Sequence, residues 1–312
     1  MANNETVVAV VLNPRSAAGN TAKRSDDIRA SFERAFAKVH WFETTSGGDG
    51  VLQAQRAAQT GASIVVAVGG DGTASEVVNG LMSSGMTPVP AFALLSSGTG
   101  GDLARTLRMP AGIDEAVQVI AQTAPRPTDL LSIEVAGEHH GWCVNVTGFG
   151  INGEVVRRTN TSSKRFGAKP TFLMAIFKAL STYRPQATVV TFERVDGSTG
   201  RWQGDLLAGF AANGRYCGGG LDVGKAGGIA DGLIDLTIIP KSNARRIMRG
   251  MRHFYDGKLA TVEGVVQYAV RNVTVTAVGK EAVPVEVDGE LGAALPMKVS
   301  VCEHGIMMIR PN

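Results

Sequence analysis

The chain has 312 residues, of which 44% are hydrophobic and only 6% aromatic, enough for two aliphatic cores or one large one. Its formal net charge of +3 is too small to indicate a nucleic-acid partner by itself. Three cysteines without a CxxC pair and five histidines without an HExxH pattern disfavour a disulfide scaffold, a zinc ribbon and a zinc hydrolase.

The hydropathy pattern predicts a cytoplasmic location for the chain. The segment MANNETVVAVVL has no basic region, and its apolar run is too short for a signal peptide. No segment reaches the roughly 20 apolar residues that span a bilayer. We therefore expect a cytoplasmic protein that can still bind peripherally at the inner membrane face.

The first 130 residues alternate between strand-like and helix-like patterns. Strands are predicted at 6–12, 39–44, 63–68 and 91–95, and helices at 21–38, 49–59 and 74–84. The strand runs do not alternate between apolar and polar residues, which indicates burial on both faces, as in a parallel sheet. Residues 1–130 therefore predict an α/β domain.

The character of the sequence changes at APRPTDL, residues 124–130, where two prolines mark a boundary. Many β-rich runs follow, with helical patterns near 170–182 and 242–254. Residues 131–295 therefore predict a mostly antiparallel second domain. The strand-like end of the chain, 296–312, is expected to return to the first domain.

Three glycine-bearing turns follow predicted strands of the first domain. They are NPRSAAG at 13–19, GGDGT at 69–73 and SSGTGGD at 96–102. Ligands of parallel sheets gather at the carboxyl ends of the strands, and glycines let backbone N–H groups approach an anion closely. The three turns together therefore predict a phosphate-binding site.

Asp71 lies between glycines in the second of these turns. A carboxylate beside phosphates would repel them unless a cation intervened, and Mg²⁺ held by one or two carboxylates and phosphate oxygens is the usual bridge. The alternative interpretation is a tight turn with a capping residue. Two other glycine patterns, GxxxxGK at 219–225 and GxGxxG at 148–153, lack the residues that a P-loop or a dinucleotide site requires.

The motifs NPRSAAG, GGDGTASEVVNGL, SSGTGGDLARTL, CGGG, ADGLID and VDGE occur in this order over residues 13–290. In this set the chain resembles the bacterial diacylglycerol kinase-type lipid kinases, relatives of sphingosine and ceramide kinases and more distantly of NAD kinases. The resemblance implies an α/β nucleotide-binding domain with a parallel sheet, a mostly antiparallel β-sandwich domain, and ATP in the cleft.

The resemblance also implies site residues, which we carry over as expectations. Glu290 matches the proton acceptor, Asp71 and Asp102 are further catalytic candidates, and Mg²⁺ in the second domain would be held by Asp231 with Gly228 and Leu233. The residues expected to contact ATP are Asn13, Pro14, Arg15, Ser16, Ala17, Thr44, Gly70, Asp71, Gly72, Thr73, Ala74, Ser75, Glu76 and Thr99.

Three departures from the family pattern stand out. Gly101 occupies a position where the family usually has asparagine, and Ala17 one where it usually has glycine. The segment VGKAGGIA before Asp231 lacks the family's proline and second aspartate, which predicts a weaker or absent metal site there.

The expected partner is a lipid substrate at a membrane surface, and no nucleic acid. Basic segments at 157–169 and 244–253 suit an anionic bilayer, although a solvated helix packed on the core is the alternative interpretation. The alternative functions are an NAD kinase-like enzyme, which would use a soluble acceptor, and a non-catalytic nucleotide sensor. The sequence identifies neither the lipid nor the oligomeric state, and a homodimer is left open.

Overall fold

The computed structural model describes residues 6–97, 101–161, 168–224, 228–242, 247, 250–279 and 281–311. The chain forms two compact units, which are described separately. The first comprises Met1–Thr128 with His304–Asn312, and the second comprises Asp129–Glu303.

The first unit is built on a parallel sheet with the strand order β2-β1-β3-β4. The strands are β1 (Val7–Leu12), β2 (Lys38–Glu43), β3 (Ile64–Gly69) and β4 (Ala91–Ser96). Every residue of β3 is buried, and so are nearly all of β1 and β4. Burial on both faces explains why the sequence showed continuous apolar runs rather than alternation.

The described residues of this unit form six α-helices. They are α1 (Asn20–Lys23), α2 (Ser25–Ala35), α3 (Asp49–Ala58), α4 (Asp71–Met82), α5 (Asp102–Thr106) and α6 (Ile113–Gln122). The helix predicted at 21–38 is therefore two helices, separated at Arg24, and it ends three residues earlier than expected. Asp26 and Asp27 lie in the first turn of α2, where negative charge stabilises a new helix start.

Close packing of α3 on α4 depends on Gly80. A methyl group at Gly80 would come within 2.4 Å of the backbone oxygen of Val51 and within 2.6 Å of the Cβ atom of Ala54. The missing side chain at Gly80 therefore lets the C-terminal part of α4 pack closely against α3.

The second unit is antiparallel. Its longer strands are β5 (Arg126–Val135), β6 (Glu138–Cys143), β7 (Val146–Gly150), β8 (Gln186–Arg194), β9 (Thr199–Ala212), β12 (Ile234–Pro240), β13 (Val266–Ala277), β14 (Pro284–Val287) and β15 (Glu290–Ala294). Two short strands, β10 (Tyr216–Cys217) and β11 (Leu221–Asp222), pair with each other. The order β15-β14-β7-β9-β12-β13 is continuous, and β8 pairs with both β9 and β13.

Two helices cover part of this unit, α7 (Ile151–Thr161) and α8 (Ala168–Thr182). Ile151 and Val155 of α7 share a buried cluster with Ala175 and Ala179 of α8. Helix α8 agrees with the pattern at 170–182, whereas α7 was not expected from the sequence. Of the predicted helix at 242–254, the described part is mainly a short 3₁₀ turn, Met251–Phe254.

The last strand, β16 (Met297–Met308), begins in the second unit and ends in the first. Met297 to Ser300 pair antiparallel with β13, and Met308 lies parallel to Phe92 of β4. The first unit is therefore an α/β domain with parallel strands and the second an antiparallel β-sandwich domain, which confirms the fold class expected from the sequence.

Candidate functional site

The glycine-bearing turns of the first unit meet at one edge of its sheet. The Asn13 backbone N–H donates to the Val68 carbonyl at 2.9 Å, so the first turn begins beside the end of β3. The Asn13 side-chain amide then donates to the Thr73 hydroxyl at 2.9 Å. The structure therefore brings together the NPRSAAG and GGDGT motifs, which are 60 residues apart.

A cluster of three hydroxyl groups joins the first turn to the third. Ser16 and Ser97 place their hydroxyl oxygens 2.9 Å apart, and the fully buried Thr21 donates to Ser97 at 2.6 Å. The N–H of Ser97 also donates to the Gly69 carbonyl at 3.1 Å. Thr21 and Ser97 were not among the expected site residues, because nothing in the local sequence reveals a partner 76 residues away.

The side chain of Asp71 is bound to the start of α5. Its two carboxylate oxygens accept hydrogen bonds from the backbone N–H groups of Asp102 and Leu103, each at 3.0 Å. Desolvation raises the pKa of Asp71, although both hydrogen bonds act in the opposite direction. Asp71 therefore caps α5 and joins two of the glycine turns, whereas the sequence analysis gave a capping role only as the alternative interpretation and foresaw no partner in a second turn.

The two glycines before Asp71 have different surroundings. A methyl group at Gly69 would lie 2.4 Å from the Thr73 hydroxyl oxygen, whereas one at Gly70 would have no heavy atom within 4 Å. Gly69 is therefore required for packing inside the turn. Gly70 lies against open space, where a ligand could approach the backbone closely.

The remaining expected residues of the GGDGTASE segment lie on α4, and most of them make contacts that stabilise the fold. Ala74 is fully buried, and its N–H donates to the Gly70 carbonyl. Glu76 accepts hydrogen bonds from the N–H groups of Gly48 and Gly50, each at 2.8 Å, and so caps α3. Gly72 and Ser75 are partly buried.

The first turn departs from ordinary backbone geometry. Ala17 and Ala18 have φ angles of 52° and 55°, in the left-handed region that glycine adopts readily and alanine does not. The glycine that the family usually has at the position of Ala17 would therefore adopt this backbone conformation without strain. Pro14 and Arg15 complete the turn, with the N–H of Arg15 donating to the Asn13 side-chain oxygen at 3.0 Å.

Thr44 and Asp102 are the other expected residues of this unit that the structure describes. Thr44 is buried, and its N–H donates to the Leu12 carbonyl at the end of β1. Asp102 is also buried and accepts a hydrogen bond from Arg105 at 3.2 Å. Thr99 lies outside the described residues.

Gly101, the position of the usual family asparagine, has a tight environment. A methyl group there would lie 2.7 Å from the hydroxyl oxygen of Ser96. That hydroxyl is buried and has no hydrogen-bond partner within the described ranges. A larger residue at position 101 would therefore require Ser96 to rotate.

In the second unit, the VDGE motif forms a tight hairpin between β14 and β15. Asp288 and Gly289 have φ angles of 49° and 84°, as a type I′ turn requires, and Val287 pairs with Glu290. Glu290 is exposed beside the turn. Its carboxylate is therefore presented at the surface of a rigid hairpin.

The carboxylate of Asp288 anchors this hairpin. It is buried and accepts hydrogen bonds from the backbone N–H groups of Val144, Asn145 and Val146 at 2.9, 2.9 and 3.2 Å. The thiol of Cys143 donates to it at 3.2 Å. Burial and the Asp288 charge raise the pKa of Cys143, so this cysteine stays a thiol.

Glu286 is a second buried carboxyl group on the same hairpin. It accepts a hydrogen bond from the N–H of Gly289 at 2.9 Å. Burial raises the pKa of Glu286 to about 8, with the Asp288 charge as a lesser cause in the same direction. Neither Glu286 nor Asp288 was singled out from the sequence.

The expected metal ligands of the second unit lie in one turn, Gly228 to Leu233. Asp231 accepts a hydrogen bond from the N–H of Leu233 at 3.1 Å. Desolvation raises the pKa of Asp231, and the nearby charge of Asp129 adds to the increase. Asp129 itself is fully buried and accepts a hydrogen bond from the N–H of Gly232 at 2.8 Å.

Within the described ranges, no group of three or more His, Cys, Asp or Glu side chains is arranged to hold a metal ion. The metal role of Asp231, Gly228 and Leu233 therefore stays a prediction. Of the two basic segments, residues 162–167, 244–246 and 248–249 lie outside the described residues. No helix of the described residues is long and apolar enough to cross a bilayer.

Comparison with known proteins agrees with this architecture. The diacylglycerol kinase catalytic domain model matches residues 7–133, and the YegS C-terminal NAD kinase beta sandwich-like domain model matches residues 145–310. Two Bacillus anthracis crystal structures superimpose over 98% of this chain and 97% of theirs, with TM-scores of 0.76 and 0.70 at 21% identity. One of them is described as a diacylglycerol kinase.

Curated relatives extend the likeness over most of the sequence. A "Probable lipid kinase YegS-like" protein of Xanthomonas campestris is 31% identical over 73% of this chain and 71% of its own. One from Xanthomonas oryzae is 28% identical over 96% of this chain and 91% of its own. The diacylglycerol kinase of Bacillus subtilis is 25% identical over 97% of this chain and 96% of its own.

A parallel α/β domain with glycine turns after its strands, followed in the same chain by an antiparallel β-sandwich, is the pair of domains that the two matching family models describe. The chain belongs to the diacylglycerol kinase family of lipid kinases, in the form with a YegS-type C-terminal domain. The family resemblance expected from the sequence motifs is thereby confirmed.

Proposed function

We propose that this chain transfers the γ-phosphoryl group of ATP to a hydroxyl group of diacylglycerol or a related lipid. The observation that carries the proposal is the joining of three glycine-bearing turns at one sheet edge through Asn13, Thr73, Ser16 and Ser97. Such turns bind phosphates through backbone N–H groups. The triphosphate of ATP is therefore the ligand that suits this edge.

Asp71 has the chemistry to hold Mg²⁺ in this site. Each carboxylate oxygen accepts one N–H bond, which leaves further lone pairs available. Magnesium is commonly held by one or two carboxylates together with substrate phosphate oxygens. When bound, it would supply the neutralisation of phosphate charge that phosphoryl transfer requires.

Glu290 is the proposed proton acceptor. The lipid hydroxyl oxygen forms a bond to the γ-phosphorus while the bond from that phosphorus to the β-phosphate oxygen breaks, and ADP leaves. The hydroxyl proton passes to the Glu290 carboxylate. Exposure of this side chain on a rigid hairpin supports the assignment, because a proton acceptor must reach an acceptor molecule that arrives from outside.

The test is a phosphorylation assay with Mg²⁺ and labelled ATP against a panel of acceptors. The panel contains diacylglycerol, ceramide and phosphatidylglycerol in mixed micelles, and NAD in solution. Phosphate incorporated into a lipid, and lost in the Glu290→Gln variant, is the expected result. Phosphorylation of NAD alone would replace the proposal with an NAD kinase-like activity, and ATP binding without any turnover would replace it with a nucleotide sensor.

A further inference from the structure

A cavity of about 660 Å³ lies within the second unit, between α7, the end of α8 and the hairpin β14–β15. Gly153 is one of the lining residues, and a methyl group there would come within 2.6 Å of the Cβ atom of Pro284. Helix α7 therefore lies close against β14. None of the residues described above as the nucleotide-binding edge lines this cavity.

The cavity wall on α7 is basic. Arg157 donates two hydrogen bonds to Glu154, at 2.9 and 2.8 Å, and Arg158 donates to the same carboxylate at 2.6 Å and to the Thr182 hydroxyl at 2.9 Å. The Glu154 carboxylate thus accepts hydrogen bonds from two guanidinium groups. Including the exposed Arg184, the cavity is lined by three arginines. Two glutamates, Glu154 and Glu281, also line it, so the lining has a net charge of one positive unit.

Another part of the lining is apolar. Pro284, Leu291 and Ala294 of the hairpin belong to it, and Leu291 is 48% exposed although it is a large hydrophobic residue. Tyr183 also lines the cavity, and its buried hydroxyl has no hydrogen-bond partner within the described ranges. Burial raises the pKa of Tyr183 to about 12, so this hydroxyl remains a donor at neutral pH.

This combination suits an anionic amphiphile. Guanidinium groups bind phosphate oxygens in a bidentate manner, and an apolar wall beside them accepts a glycerol backbone and the first acyl methylenes. We propose that the cavity binds the phosphate-bearing headgroup of an anionic glycerophospholipid. The proposal concerns binding alone, and it stands whether or not the chain phosphorylates diacylglycerol.

The proposal is tested by vesicle co-sedimentation with two double variants of equal charge. Arg157→Gln with Arg184→Gln removes two arginines of the cavity. Arg201→Gln with Arg271→Gln removes two arginines of the same unit that do not line it. The vesicles are phosphatidylcholine with and without phosphatidylglycerol, at low salt.

Each arginine near an anionic surface contributes about fivefold to binding, so the cavity double variant should bind phosphatidylglycerol vesicles about 30-fold more weakly than wild type. The control double variant should lose much less. Equal losses in the two variants would mean a diffuse attraction to charge and would overturn the proposal.

A second pair of variants tests the apolar wall without removing an arginine. Leu291→Glu places a carboxylate in the cavity, while Val195→Glu places one at a residue that is 54% exposed elsewhere in the unit. Only Leu291→Glu should weaken vesicle binding. Calorimetry with sn-glycerol 3-phosphate and with inorganic phosphate completes the test. If either compound binds tightly, and the protein variants do not differ in vesicle binding, the cavity is a site for soluble phosphates and the proposal is overturned.

Discussion

The carboxylate of Asp288 accepts a hydrogen bond from the backbone N–H of Asn145 at 2.9 Å, across 143 residues of sequence. The N–H groups on either side of Asn145 bond to the same carboxylate. Three adjacent donors therefore converge on one buried anion, which joins the VDGE hairpin to the start of β7. The aspartate of this motif holds the hairpin in place, while the glutamate of the motif is left at the surface.

Asp288→Ala should therefore destabilise the second unit. Three N–H groups would lose a charged acceptor in a buried place, and breaking such a network typically costs about 2–4 kcal/mol. The free energy of unfolding from urea titration measures the loss. Glu290→Gln is the control, since an exposed substitution should change stability by less than about 0.5 kcal/mol. Equal stability of the two variants would contradict the anchoring role.

Glu290→Gln should instead act on turnover. A general base contributes about 10²- to 10⁴-fold, so the rate with a competent lipid should fall by that factor. The affinity for ATP, measured by calorimetry, should hardly change because Glu290 is proposed to contact the acceptor hydroxyl. Turnover within about threefold of wild type would move the proton acceptor elsewhere, with Asp71 or Asp102 as the next candidates.

Asp71 requires a pair of substitutions, because its carboxylate also caps α5. Asp71→Ala should lose about 1 kcal/mol of stability together with activity, as loss of a helix cap typically does. Asp71→Asn keeps one acceptor oxygen and removes the charge, but its amide N–H₂ would face the second backbone N–H, so it should lose one of the two bonds to α5 together with Mg²⁺-dependent ATP binding. Unchanged ATP binding in the asparagine variant would exclude the metal role.

The pKa of Glu286 gives a prediction about pH. Its folded value of about 8 lies above the ordinary value of 4.5, so the folded state holds the proton more tightly. The stability that this group contributes is complete below about pH 4.5 and is lost as the pH rises through about 8. Glu286→Gln should therefore gain stability relative to wild type across this range, by at most about 1.4 kcal/mol per pH unit. Urea unfolding at several pH values measures the difference, and a constant difference would contradict the shifted pKa.

Strands and glycine turns could be predicted because their signals are local. The apolar runs that became β1, β3 and β4 need only burial on both faces, and each glycine turn follows its strand directly. Helix α7 as a whole was not predicted, because the glycines of GFGING at its start indicate a turn, yet Ile151 and Val155 supply the buried face of a helix.

Partners that are distant in sequence could not be predicted. Asp71 was singled out as a carboxylate within a glycine turn, but its contact with Leu103 exists only once two turns have met at the sheet edge. The same holds for Thr21 and Ser97, because neither hydroxyl group indicates a contact until the folded chain brings the two together. The motifs therefore singled out candidate residues, whereas the contacts that each one makes required the packed structure.

The two glycines of the GGDGT turn, Gly69 and Gly70, should respond differently to substitution by alanine. Gly69→Ala should destabilise the first unit by about 1–3 kcal/mol, because the added methyl would lie 2.4 Å from the Thr73 hydroxyl oxygen. Gly70→Ala adds the same methyl in open space, at φ −99° and ψ −169°, which alanine adopts without strain. Thermal unfolding of the Gly70 variant should match wild type.

If Gly70 lies open so that phosphate can approach the backbone, its alanine variant should bind ATP at least tenfold more weakly while remaining folded. Calorimetry with Mg²⁺-ATP measures this, and the Gly69 variant shows what packing damage alone does to affinity. Full ATP affinity in a folded Gly70→Ala protein would mean that the triphosphate does not approach this glycine. The phosphate site would then have to be centred on the Asn13 turn, where Ala17 and Ala18 already adopt the left-handed conformation.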